Sequence, residues 1–330
     1  LNARYGYASA ELQQTLERSI SLAQSLGRQD ALTTGLAALN TSQFVQGRTA
    51  DSHQTALRAL ALAEPGSQLS GHAHFGAGGA ALSLGRPAEA LEHLDLVAQQ
   101  AAGSMWLTVG TRPDLHSTAW AAHAHWLLGH DDEALAAARK AIAAGRSVGH
   151  PYSMAVVLAY AGITYQVCGR LPELTETVAE LRELCERHGF AYYREWGLIL
   201  GGWSRGDQPG ISLIRQGIAN LRSAGAFARM PYWLSLLADL QARTGQRDAA
   251  RATLDAAVAT GQSHDDVWWL PEVLRMRASQ DDDEQAALAR LRDAAALAAE
   301  QGSVALLRRC ERDIAARGVR PAAAGVRPLD

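Results

Sequence analysis

Two His-x-His pairs, His72/His74 and His123/His125, put the commonest metal ligand and proton shuttle at a fixed spacing. On a helix, residues two apart point to nearly opposite sides, so neither pair closes on one ion; zinc helices use a spacing of four. One histidine of each pair is therefore expected inward and one outward, and no metal is expected. Gly76-Ala-Gly-Gly-Ala-Ala81 fits the G-x-G-x-x-A dinucleotide fingerprint, which works only between a buried strand and a helix. Here the stretch lies inside a helical pattern and reads as small residues for close helix packing. No GxxxxGK(S/T) loop occurs and Lys140 is the only lysine, so no nucleotide or other cofactor is expected. The acidic pairs Asp131/Asp132, Asp265/Asp266 and Asp281/Asp282 stand near predicted helix starts, where capping and solubility account for them.

The elements that must carry these residues are helices. Gly47, Gly85, Gly129, Gly169, Gly206 and Gly245 recur at intervals of 38, 44, 40, 37 and 39 residues, the period of a repeat array. A second series, Gly27, Gly66, Gly103, Gly145, Gly189, Gly225, Gly261 and Gly302, falls between them and predicts two helices per period. The stretches Gly85-Arg-Pro-Ala-Glu-Ala90, Gly129-His-Asp-Asp-Glu-Ala134 and Gly169-Arg-Leu-Pro-Glu-Leu174 set a glycine at a helix end and Pro or acid in the next first turn. Apolar residues between these marks run at helical spacing, as in Leu174, Val178, Leu181 and Leu184. No sustained period-two alternation calls for a strand.

Aligned on the turn glycine, Gly78, Ala122, Gly162 and Ala238 fall seven residues before it, and Ala90, Ala134 and Ala250 five after it. With Tyr165 in the aromatic slot, this resembles the tetratricopeptide consensus, although the period exceeds its usual ~34 residues. The fold class follows: all-α, a right-handed α-solenoid of about seven to eight degenerate helix pairs whose function lies on a concave wall. It is expected to form one domain over residues 1–317, with 318–330 a flexible tail.

Tryptophan (8) outnumbers phenylalanine (4), and indole suits a surface that is part apolar and part wet. Carrying the groove positions of tetratricopeptide helices onto this chain gives His72, Phe75, His116, His123, Trp126, Tyr193, Trp196, Trp203, Tyr232 and Asp239. Tyr193, Trp196 and Trp203 are expected on one face. Trp268-Trp269 should open a late helix with one indole inward and the other toward the groove. Arg229 precedes another helix start and reads first as the partner of a nearby carboxylate, second as a holder of an anionic group.

Composition narrows the partners. A net charge of -3 leaves no surplus to neutralise phosphates, so nucleic acid is not expected. The three cysteines, Cys168, Cys185 and Cys310, form no pairable pattern, no apolar run reaches the ~20 residues that cross a bilayer, and a cytoplasmic setting without a membrane partner is expected. Starting at Leu1 rather than Met, the chain reads as part of something longer.

Ala121-Ala-His-Ala-His-Trp-Leu-Leu-Gly129, His150-Pro-Tyr-Ser153, Gly201-Gly-Trp203, Ile214-Arg-Gln-Gly217, Met230-Pro-Tyr-Trp-Leu-Ser-Leu-Leu-Ala238 and Trp268-Trp269 resemble the C-terminal repeats of large bacterial signalling proteins. In those, a class III adenylate or guanylate cyclase domain, or a LuxR-type DNA-binding domain, is joined to an AAA/STAND (MalT-like) ATPase and then to such repeats. The likeness runs over about residues 5–317. It implies a non-catalytic regulatory arm, and it adds Arg215, Gln216, Pro231 and Glu272 to the matching positions, with Leu270-Pro271 interrupting the usual double-Trp-to-Glu spacing. The first functional expectation is a groove that receives a protein or peptide, or the chain's own ATPase or output domain. The second is a small-molecule sensor in which Trp126, Trp196, Trp203 and Tyr232 wall a closed pocket. A third, an enzyme, would need His116 and His123 to converge on Asp239.

Overall fold

The computed structural model describes residues 10–99 and 112–317, and among them the secondary structure is sixteen α-helices without a strand. They are α1 (Ala10–Ser25), α2 (Gln29–Val45), α3 (Thr49–Leu62), α4 (Gln68–Ser83), α5 (Pro87–Gln99), α6 (Pro113–Leu127), α7 (Asp131–Val148) and α8 (Pro151–Val167). Then follow α9 (Leu171–His188), α10 (Ala191–Arg205), α11 (Gln208–Ser223), α12 (Met230–Arg243), α13 (Arg247–Ser263), α14 (Leu270–Ala278), α15 (Glu284–Glu300) and α16 (Val304–Ala316). Gly103 and the expected 318–330 tail lie outside the described residues.

The chain is an α-solenoid. Even-numbered helices pack on one another from α2 to α16 as an inner layer, and each odd-numbered helix packs outside its neighbours in sequence. The sequence explains the division. Outer helices are amphipathic: α11 buries one stripe, Ile211, Ile214, Ile218 and Leu221, and leaves the opposite face wet. Inner helices in the middle of the array are apolar nearly all round, as in α8, where every residue from Tyr152 to Tyr165 is buried. The small residues aligned on the turn glycines, Ala90, Ala122, Ala134, Ala238 and Ala250, have no exposed surface.

All six first-series glycines adopt positive φ, the conformation a helix end needs. Two second-series glycines do not end helices. Gly145 and Gly261 lie inside α7 and α13, which stop instead at left-handed Gly149 and at His264 followed by left-handed Asp265. Their smallness serves helix contact: a Cβ on Gly261 would sit 2.7 Å from Leu270 Cδ2, and one on Gly145 2.9 Å from Met154 Sδ. The tightest approach of backbone to backbone joins α10 to α11, where a Cβ on Gly210 would lie 2.2 Å from the carbonyl oxygen of Gly202. Backbone cannot swing aside as a side chain can. Gly210→Ala should therefore force the helices apart and lower the unfolding free energy by about 1–3 kcal/mol, read as the urea midpoint. An unchanged midpoint would refute the close crossing.

The superhelix closes on itself. The carbonyl of Val45, at the end of α2, accepts from Phe227 N–H (2.8 Å) and Ala228 N–H (3.2 Å). One repeat further on, the carbonyl of Ser83, at the end of α4, accepts from Val267 N–H (2.8 Å) and Trp268 N–H (3.1 Å). Carbonyls that a helix end leaves unpaired are thus satisfied by loops some 180 residues away. His264 Nδ1 lies 3.1 Å from Gly47 O, Arg309 donates to Val167 O at 2.9 Å, and α16 reaches α6. The concave side is therefore filled by the loops before α12 and α14, and one apolar cluster runs from Val45 to Leu306.

Candidate functional site

The two closing loops place Arg229, Asp266 and Trp268 in the middle of the inner wall. Arg229 holds a left-handed φ of 63°, which a non-glycine residue keeps only where its surroundings fix it. Its backbone N–H donates to Asp266 Oδ2 at 2.6 Å. The side chain is wholly buried, and the guanidinium carbon lies 5.5, 5.0, 5.9 and 5.2 Å from the ring centroids of Trp120, Tyr160, Trp196 and Trp268. None of its three nitrogens has a hydrogen-bond partner. The carboxylate partner expected from sequence is not there: Asp266 is used on the backbone instead.

Taking a guanidinium out of water costs several kcal/mol, and each aromatic face returns roughly 0.5–2 kcal/mol. Four rings offset much of the loss of hydration but supply no acceptor. The other two arginines on aromatic faces are fully served. Arg309 lies 4.8 Å over Trp126 and also donates to Glu272 and Val167 O; Arg243 lies 5.3 Å over Trp203 and pairs with Asp239 at 3.4 Å. Glu272, whose role the sequence left open, anchors a structural cluster with Arg275 and Arg309, and despite burial these two hold its carboxyl below the usual range.

Asp266 is not the solvated cap its sequence position suggested. Burial pushes its carboxyl up to about 6, against the opposing pull of the Arg229 charge and of hydrogen bonds from Arg229 N–H and Ser83. His116 stacks on Trp120 at 5.2 Å and meets Tyr160 edge-on at 4.6 Å. His123 lies flat on Tyr160 at 5.3 Å, with Nε2 3.0 Å from Tyr160 O. Burial and then the Arg229 charge push His116 down to about 3 and His123 well below its usual range, so both are neutral at pH 7.

Against this plug of rings a recess opens, with a cavity volume of about 50 Å³ behind an open mouth. Thr41 and Phe44 of α2, Phe75 and Gly76 of α4, His116 and Trp120 of α6, Tyr160 of α8, and Tyr192 and Tyr193 of α10 line it. The space has a repeat-level cause. Gly76, Trp120 and Tyr160 each stand nine residues before a turn glycine, Gly85, Gly129 and Gly169, so one repeat carries no side chain where the next two carry rings.

Of the residues expected in the groove, Phe75, His116 and Tyr193 line this pocket, while Trp196, 5.3 Å from Tyr193, is packed behind it. Trp126, Tyr232, Trp268 and Trp269 are buried: Tyr232 Oη donates to Gln166 at 2.8 Å, Trp269 Nε1 to Ser235 at 2.9 Å, and Trp126 lies 5.8 Å from Trp269. Two expectations need correcting. Trp268 and Trp269 do stand at the start of α14, with Trp269 its N-cap, but neither faces outward, because both close the seam. Trp203 does not join Tyr193 and Trp196; it donates to Asp239 at 2.7 Å and lines a separate recess with Arg243. Trp126, Trp196, Trp203 and Tyr232 therefore do not wall one cavity, and Asp239 does not meet His116 and His123.

Sequence reasoning missed Trp120, Tyr160 and Asp266. The two rings share a repeat position, a signal that alignment on the turn glycines could have found; Asp266 carries none, since its burial depends on long-range closure. The His-x-His pairs divide as expected, His72 and His123 buried, His74 and His125 partly exposed. No group of three or more His, Cys, Asp or Glu among the described residues is placed to hold a metal. Gly76–Ala81 lies inside α4 with Gly78 against Leu94 and Gly79 against Trp120. Gly145-Arg-Ser-Val-Gly149 spells the G-x-S-x-G nucleophile elbow, but it ends helix α7 with Ser147 exposed and lacks the strand-to-helix turn that elbow needs. Among the described residues no helix is long and apolar enough to cross a membrane.

No family model matches the sequence. The chain is 27% identical over 202 residues to the uncharacterized protein R02095 of Rhizobium meliloti (strain 1021). That match covers 59% of this chain and 20% of the relative, so it spans about a fifth of the relative's length. Among solved structures the chain is similar to a Rap protein complexed with Competence and Sporulation Factor, with a TM-score of 0.58 and 10% identity over 92% of this chain and 97% of that one. This likeness shows the fold, a helical-repeat solenoid of tetratricopeptide type.

Proposed function

We propose that the chain is a non-catalytic sensing segment of a larger signalling protein, which takes a small molecule into the pocket between α2, α4, α6, α8 and α10. Occupancy would then be passed to a protein partner, and the resemblance of the repeats makes the chain's own ATPase or output domain the first candidate. The observation that carries this reading is the closure: the aromatic wall faces no open groove, and a concave, mostly aromatic recess remains open against it. A second reading rests on the likeness to the Rap complex. The partner is then a protein or peptide that seats itself by parting the seam at Val45 and Ser83.

Intrinsic tryptophan fluorescence and thermal melting against a metabolite library, and separately against the purified ATPase domain, distinguish the two. A ligand at a hundredfold its Kd adds about 2.7 kcal/mol to folding, so a rise of several degrees in Tm is expected. Thr41→Trp, which fills the mouth, should remove the response, and Trp203→Ala, in the separate recess, should leave it. A response to the ATPase domain alone, unaffected by Thr41→Trp, would overturn the pocket reading in favour of the second.

A further inference from the structure

Resting on the pocket reading, we propose that the ligand is a small organic anion with a planar apolar body, selected by the buried charge of Arg229. The floor of the pocket is made of His116, Trp120 and Tyr160, and the same Trp120 and Tyr160 rings lie 5.5 and 5.0 Å from the guanidinium carbon. The cation is thus one ring away from the pocket, in surroundings where charge is poorly screened. Tyr192, Tyr193, Phe75 and Phe44 supply flat apolar walls for the body of the ligand.

The hydrogen-bonding imbalance points the same way. Nε, Nη1 and Nη2 of Arg229 and the indole nitrogens of Trp120, Trp196 and Trp268 are buried and unpartnered, and guanidinium and indole only donate. Unpartnered acceptor atoms stand in the same surroundings, Asp266 Oδ1 and the ring nitrogens of His116, but none pairs with the Arg229 nitrogens. The nearby histidines are neutral, and Asp266 is engaged with the Arg229 backbone and acts on the guanidinium only through space, so no carboxylate stands at ion-pair distance from Arg229, whereas Arg243 and Arg309 on their own tryptophans each have one. A carboxylate or a similar anionic group held against the Trp120 and Tyr160 rings is attracted by that charge across one ring; a cation would be repelled, and a neutral ring would gain only the apolar contact.

Benzoate and benzamide, matched in shape and differing in charge, test this by calorimetric titration and thermal melting at fixed ionic strength. Benzoate should bind at least tenfold more tightly than benzamide, with saturation abolished by Thr41→Trp. Arg229→Lys, which keeps the charge, should retain the preference. Arg229→Met should reduce it to within about twofold while leaving benzamide binding in place. Should Arg229→Met fail to fold, the wild-type ratio decides. Equal binding of the two probes, or a preference that survives Arg229→Met, overturns the anion inference and leaves the pocket reading intact. Absence of any saturable binding of either probe that Thr41→Trp removes overturns both.

Discussion

Trp196→Ala should lower the unfolding free energy by about 3–5 kcal/mol, a large share of the ~5–15 kcal/mol that holds a folded protein together. Trp196 is 1% exposed and lies within 4.9–5.6 Å, ring to ring, of Trp233, Tyr160, Tyr193 and Tyr192. Those rings come from α8, α10 and α12 and cannot all follow the missing indole, so a cavity remains and Arg229 loses one of its four aromatic faces. Trp203→Ala is the informative contrast. Seven residues along the same helix, Trp203 is partly exposed and keeps one hydrogen bond and one stacked arginine, so about 1 kcal/mol is expected. Urea unfolding of the two variants checks this. Equal losses would mean that the centre of the superhelix is no better packed than its edge.

What the sequence disclosed was whatever repeats locally. The turn glycines, the acid or proline that follows them and the small residues aligned on them determine each helix pair, because each expresses a conformational need of its own few residues. Even there, two glycines misled: Gly145 and Gly261 keep the period but serve helix contacts, since a small residue is wanted both where a chain turns and where two helices touch. The aromatic wall was legible by composition and misassigned by exposure. Tyr193, Trp196, Tyr232 and Trp268 occupy groove positions, yet the groove is filled, because loops from the fifth and sixth glycine-marked repeats dock on the ends of α2 and α4. The turns of those loops align: left-handed Gly225 in one matches left-handed Asp265 in the other, forty residues on, and the docking N–H groups follow at the same offset. No helical periodicity reports such pairing, so Arg229 and Asp266, whose chemistry depends on it, looked like surface residues at a helix start.

Closure also makes the protein acid-labile, and the direction is set by which state takes up protons. His116 and His123 titrate near 6.5 when unfolded but are held at about 3 and well below the usual range when folded. The unfolded chain therefore binds their protons first, and the stability they support is complete above pH 6.5 and lost as pH falls below it, by roughly 1.4 kcal/mol per pH unit for each. Asp266 acts oppositely: raised to about 6 from an ordinary 3.8, it takes its proton in the folded state first and adds stability as pH falls from 6 toward 4. Two losses against one gain leave a net fall in stability between pH 6.5 and 4.5. Urea midpoints at pH 7.5, 6.0 and 4.5 should show it. His116→Phe combined with His123→Gln should flatten or reverse the slope, and Asp266→Asn should steepen it. A wild-type midpoint that stays level across this range would mean that the two histidines reach water or a proton acceptor in the folded chain, and the sealed centre on which Arg229 and its rings depend would then be open.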